Sequence, residues 1–178
     1  MTTEQLQYPI GRYEKPNDIT KEQIEQWIAA ISSLPERLNT AVRNLTEEQL
    51  DTPYRPNGWT IRQVIHHCAD SHMNSFIRLK LTLTENEPTI KPYDEASWAT
   101  LSDSIHMPIA PSLQMIEGIH ERWTILLKGL TEAQYNLQFI HPDHAPKIRI
   151  DEYIAMYAWH SNHHLAHITT TMERHQWK

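Results

Sequence analysis

The sequence is poor in the residues that would mark several large classes of protein. It has one cysteine, Cys68, among 178 residues, so no disulfide can close within the chain and a reducing compartment is the expected setting. Only four glycines are set against eleven prolines, which argues for long helices joined by stiff connections. No apolar run approaches the roughly 18–20 residues that a membrane span needs. Basic residues are outnumbered, 16 Lys and Arg against 22 Asp and Glu, for a formal charge of −6. Nucleic acid and an anionic membrane surface both demand a basic face, so neither is expected as a partner. The opening MTTEQLQYPIGRYEKPND lacks a basic stretch followed by an apolar one, and no secretory signal is expected. These absences point to a cytoplasmic protein with a single domain over residues 1–178 and an ordinary core, 39% of the residues being hydrophobic.

What the chain does have is helical periodicity. Residues 1–18, with Pro9, Gly11 and Pro16, show no period and read as an extended arm. Thr20 and Gln23 form a capping box that opens a first long helix, with Ile24, Trp27, Ile28 and Ile31 at helical spacing. Pro35 predicts a kink or a restart there, and Ser33 with Glu36 offers a second cap. After LTEEQL and the loop DTPYRPNG, Thr60 and Gln63 cap a second helix that runs to about Leu83. Residues 84–111 hold little period beyond DEASWATL, and a connection this long is a crossover or carries function. Pro111-Ser112 opens a third helix, Gly129 ends it, and Asp151 caps a fourth that runs to about Arg174. LTEEQ (45–49) and LTEAQ (130–134) each follow a long helix and lead into a histidine-bearing one, as two helix–turn–helix halves of a four-helix bundle would. No strand pattern competes, so the fold class expected is all-α.

The other abundance is histidine, twelve in all, four of them in YAWHSNHHLAH at 157–167. In a helix, residues four apart share a face, so His160/His164 and His163/His167 are each able to offer two imidazoles to one ion. On a helical wheel with His160 at the front, Tyr153, His164, His167 and Thr171 fall within about 40° of it, and His163 sits at the margin. On the second helix His67, Ser71, Asn74 and Arg78 form a polar stripe of the same width, with Asp70 about 60° away and His66 and His72 off it. His167 stands about 10.5 Å along the axis from His160, too far to share an ion with it. The ligand set expected is therefore His67, His160 and His164, which leaves a position open for water or substrate. His163 and His167 read as support, Cys68 as packing, and His106, His120, His141, His144 and His175 as surface residues. Asn74 and Arg78 are candidates to orient a substrate carboxylate. Asp94, Glu95 and Trp98 either line the mouth of the site or stiffen the crossover.

WTIRQVIHH (59–67) and WHSNHH (159–164) together resemble the DinB/YfiT superfamily, and YPIGRY, DTPYRPNGWT, HHCADSHMNSFIRLKLTLTE and TIKPYDEASW extend the resemblance to its YfiT branch over most of the chain. The resemblance implies an up-down-down-up four-helix bundle with a long crossover between helices 2 and 3, a homodimer, and metal ligands at His67, His160 and His164. It implies a metal-dependent hydrolase, or, as in other branches, a thiol S-transferase that conjugates bacillithiol or a similar low-molecular-weight thiol to electrophiles. Gln63 stands where relatives often carry Glu, which weakens any general base there. The expected cofactor is one divalent ion per subunit, Zn2+ with Ni2+ as the alternative, and the expected partner is a small-molecule substrate. A non-catalytic metal-binding stress-response bundle, or histidines that only fill the core, are the rival readings.

Overall fold

The computed structural model describes residues 1–177, and of residues 144–146 the backbone alone. The elements in order are α1 (Thr3–Gln7), α2 (Lys21–Val42), α3 (Glu47–Leu50), α4 (Ile61–Thr84), α5 (Glu95–Trp98), α6 (Ser102–His106), α7 (Ala110–Lys128), α8 (Glu132–Tyr135), β1 (Gln138–His141), β2 (His144–Arg149) and α9 (Ile150–Arg174). The capping boxes stand where the residues placed them. Thr20 and Gln23 open α2, and Thr60 and Gln63 open α4, each threonine side chain accepting from the glutamine backbone while the glutamine side chain accepts from the threonine N–H. Gln63 is used up by this duty, because its amide also donates to the Ala99 carbonyl at 2.8 Å. The two echoed segments become α3 and α8, each a single capped turn between long helices.

Four long helices form the bundle, and its topology follows from which helix ends share a core. One cluster joins Ile24, Ile28 and Ile31 of α2 to Leu79 of α4, Trp123 and Leu127 of α7, and Ile150, Tyr153 and Ile154 of α9. The other joins Leu34, Leu38 and Val42 to Ile61, Val64 and Ile65, to Ile116, and to Leu165 and Ile168. The start of α2 thus lies with the ends of α4 and α7 and the start of α9, which is an up-down-down-up bundle. The parallel pair is tied rung by rung, His66 to Ser112 and His72 to His120. Parallel neighbours require a crossover, and residues 85–109 provide it. No helix among the described residues is long and apolar enough to cross a membrane.

Several expectations are corrected. The N-terminal arm is not wholly extended: Thr2 and Gln5 form a capping box and α1 follows. The fold class is as expected, and what was not expected is one small addition, β1 and β2, an antiparallel hairpin whose Ile140 also binds the crossover through Ile90 N–H to Ile140 O and Ile140 N–H to Pro88 O, both 2.9 Å. Pro35 lies inside a continuous α2, and Ser33 caps nothing, its hydroxyl donating to Ala30 O at 3.2 Å. The N-cap of α9 is Arg149 rather than Asp151. Asp151 is buried and paired with Arg149.

Candidate metal centre

Between the two apolar clusters lies a polar layer. On α4 it falls between Ala69 and Leu79, on α7 between Ile116 and Trp123, and on α9 between Ala158 and Leu165. His72, His120, His160, His163 and His164 lie in this layer, with His67 two residues before it on α4 and His167 two residues after it on α9. His67 on α4 and His160 and His164 on α9 each present a nitrogen, and the three lie within 4.8 Å of one another. The Nε2 atoms of His67 and His160 are 3.3 Å apart. Two imidazole nitrogens each about 2.05 Å from a tetrahedral ion stand about 3.3–3.4 Å apart, so this pair is already at ligand spacing. Burial lowers all three pKa values, that of His67 to about 4 and those of His160 and His164 well below the ordinary value, with neighbouring histidines adding to the effect. The neutral ring is the form that binds a metal, so the donor set fits a divalent ion that takes imidazole ligands.

A second group, His163, His164 and His167, also lies within 4.8 Å; there His167 is engaged by its neighbours, whereas Nδ1 of His163 is buried without a hydrogen-bond partner among the described residues. Nε2–H of His167 donates to the Gln7 carbonyl at 3.0 Å, which leaves its Nδ1 facing Nδ1 of His164 at 3.4 Å. His163 stacks on Trp159 with ring centroids 4.3 Å apart.

The three-histidine cluster opens on a cavity of about 600 Å3. Trp59, Tyr93, Tyr157 and Trp159 give its walls an aromatic lining, and Ser71, Arg78, Glu95, His141 and His163 add polar groups. The Ser71 hydroxyl is 3.4 Å from His160 Nε2 and 3.5 Å from the Tyr157 hydroxyl. Arg78 reaches the wall with Nη2 donating to Lys91 O, and its guanidinium lies 6.0 Å from the Tyr93 ring centre. Asn74 does not join it: its amide turns back to Asp70 O on the same helix. In the crossover, Asp94 caps α5 through Ser97, Trp98 packs on Tyr93, and Glu95 lines the cavity. Cys68 is buried and its thiol is pushed up to about 12 by burial, which suits packing.

Of the histidines taken as surface residues, His106 and His175 are exposed, His141 is half-buried on the cavity wall, and the side chain of His144 lies outside the described residues. His120 is a correction, being 1% exposed. It and His72 are the polar residues that the sequence reading missed. His72 Nε2 meets His160 Nδ1 at 3.0 Å, His72 Nδ1 meets His120 Nε2 at 2.6 Å, and His120 Nδ1 donates to Ile31 O at 2.7 Å. The signal was periodicity itself: His120 sits on the stripe of Ile116 and Trp123, and His72 on that of Ile65, Cys68 and Leu79.

A model of the DinB superfamily matches residues 30–168. The chain belongs to the DinB superfamily. Among superfamily relatives, YfiT of Bacillus subtilis (strain 168), named a "putative metal-dependent hydrolase", is 49% identical over 177 residues, 99% of each chain. A protein of Bacillus pumilus (strain SAFR-032) with the same description is 48% identical over 172 residues, 97% of this chain and 98% of that one. The solved structure of B. subtilis YfiT, described as an unusual four-helix bundle, superposes with a TM-score of 0.95 at 48% identity, covering 98% of this chain and 99% of that one. Membership in the DinB superfamily thus agrees with the bundle and crossover described above.

Proposed function

We propose that the protein is a metal-dependent hydrolase in which His67, His160 and His164 hold one divalent ion, zinc in the first instance and nickel as the alternative. The observation that carries this reading is the 3.3 Å separation of the Nε2 atoms of His67 and His160, two residues that line the cavity. Three ligands leave a coordination position free, whereas a structural site closes with four. A divalent ion bound there would act as a Lewis acid, lowering the pKa of a coordinated water toward about 7. The chain's own residues then have defined tasks. The three imidazoles stay neutral at pH 7 and fix the position of the ion. Ser71 and Tyr157 bring hydroxyls beside it that can donate to a substrate oxygen. Trp59 and Trp159 wall the cavity, and Arg78 offers a positive charge that would orient an acidic group of the substrate.

The test is elemental analysis of wild type and His164→Ala, combined with ester, amide and phosphoester substrates offered to the metal-stripped and the reloaded protein. The expected result is about one ion per wild-type chain, its loss from the variant, and hydrolysis that returns only on reloading. Stoichiometric metal in His164→Ala would overturn the ligand set. A parallel series pairs each low-molecular-weight thiol with an electrophilic dye. Metal-dependent conjugation without hydrolysis would replace the hydrolase reading with a thiol transferase.

A further inference from the structure

In an α-helix each carbonyl accepts from the N–H four residues on. The donor for Ile31 would be residue 35, and residue 35 is proline, which has no N–H. The Ile31 carbonyl is therefore left without its helical donor in the middle of α2. His120 takes that acceptor, its Nδ1 lying 2.7 Å away. A carbonyl can only accept, so the proton of His120 is on Nδ1. A neutral imidazole carries one proton, which makes Nε2 of the same ring an acceptor. That atom is 2.6 Å from His72 Nδ1, so His72 also carries its proton on Nδ1. Its Nε2 in turn accepts from His160 Nδ1 at 3.0 Å. The proton of His160 is thereby assigned to Nδ1, and its Nε2 lone pair points at His67 Nε2, 3.3 Å away.

We propose that Pro35, His120 and His72 are positioning residues for the metal centre: the carbonyl opened by the proline sets, through two buried histidines, the tautomer and the orientation of His160. The inference rests on His160 being a ligand, as proposed above. A parallel arrangement stands behind His164. The carbonyl of Gln7, at the C-terminal end of α1 where helix carbonyls lack donors, accepts from His167 Nε2 at 3.0 Å, and His167 Nδ1 faces His164 Nδ1 at 3.4 Å. Two ligand rings are thus oriented by chains that each end on a backbone carbonyl without a helical donor. His72 and His120 are 0% and 1% exposed, so water does not compete for these bonds.

The decisive variant is Pro35→Ala. It restores an N–H that competes with His120 for Ile31 O and removes a proline from a helix interior, so its melting temperature should equal or exceed that of wild type. Its Zn2+ affinity, measured by competition with a chromophoric chelator, should fall about tenfold, the lower end of what loss of an outer hydrogen bond costs a metal site. His120→Leu should weaken Zn2+ by about 10–100-fold, and His120→Gln, which keeps one donor and one acceptor, should recover part of the loss. A purely structural role would move stability and affinity together, whereas Pro35→Ala is expected to move them apart. Nitrogen-15 NMR of metal-free wild type should place the protons of His72, His120 and His160 on Nδ1. Wild-type Zn2+ affinity in both Pro35→Ala and His120→Leu, or a His160 proton on Nε2, would overturn the proposal. A wild-type protein that takes up no zinc would overturn the functional reading, while the spectrum still decides the tautomers.

Discussion

At the scale of single residues, the centre is held by rings that must stay uncharged. Burial lowers the pKa of His67, His120 and His167 to about 4 and that of His163 to about 3. Each would titrate near 6.5 in the unfolded chain. Between those values the unfolded state binds protons that the folded state does not, so stability falls as the pH drops. The expected outcome for metal-free protein is a loss of up to about 1.4 kcal/mol per pH unit for each such histidine from pH 6.5 down to its folded pKa, about pH 4 for three of them and about pH 3 for His163. Urea melts at pH 7.5, 5.5 and 4.5 check this, and an unchanged midpoint would show that the rings are not kept neutral by the fold. Much of this layer was legible in the residues: the wheel put His160 and His164 on one face, the polar stripe of the second helix supplied His67, and the axial spacing set His167 apart. His72 and His120 escaped because a histidine on an apolar stripe shows no partner in sequence. Their partners lie 48 and 88 positions away.

Among the elements, α4 bears the most connections, and Arg62 makes several of them. Its guanidinium is 3% exposed, donates to Asp51 at 2.7 Å and Met107 O at 3.1 Å, and pairs with Glu47. It therefore joins α3, α4 and the end of the crossover. Arg62→Met keeps the apolar stem and removes these bonds, at an expected cost of about 2–3 kcal/mol. Differential scanning calorimetry would read this, and a change under 0.5 kcal/mol, the scale of an ordinary surface substitution, would mean that the bonds are replaced by water. The long helices were legible because their caps and their stripes agree. The hairpin was not: β1 has four residues, its register shifts between Phe139 and His141, and such a stretch has no room for clean alternation. Helix α1 was overlooked although Thr2 and Gln5 repeat the signal that opens α2 and α4, because Pro9 and Gly11 nearby suggested extended chain.

For the whole molecule, an ion at the centre would clamp α4 to α9 across the polar layer, where apolar packing is interrupted. Binding to the folded state alone adds about 2.7 kcal/mol at a free concentration one hundred times Kd. Added Zn2+ is therefore expected to raise the melting temperature of wild type by several degrees and leave His67→Ala unmoved. Equal shifts in both would locate the binding elsewhere. The up-down-down-up order was available only through the resemblance, since periodicity does not tell which helices run side by side. With His66 beside Ser112 and His72 beside His120, the parallel pair is plain.

The distance along the chain between the candidate ligands has a consequence for synthesis. His67 precedes His160 by 93 residues, and at about 5–20 residues per second a ribosome needs roughly 5–20 s to pass from one to the other. During that interval α4 carries only one of the three candidate ligands, His67, and a single imidazole ligand is a weak and unselective trap for any metal. The candidate three-histidine set is complete only once α9 has docked against α4. Metal uptake would then mark completed synthesis, and a chain stalled before α9 would be released without its ion.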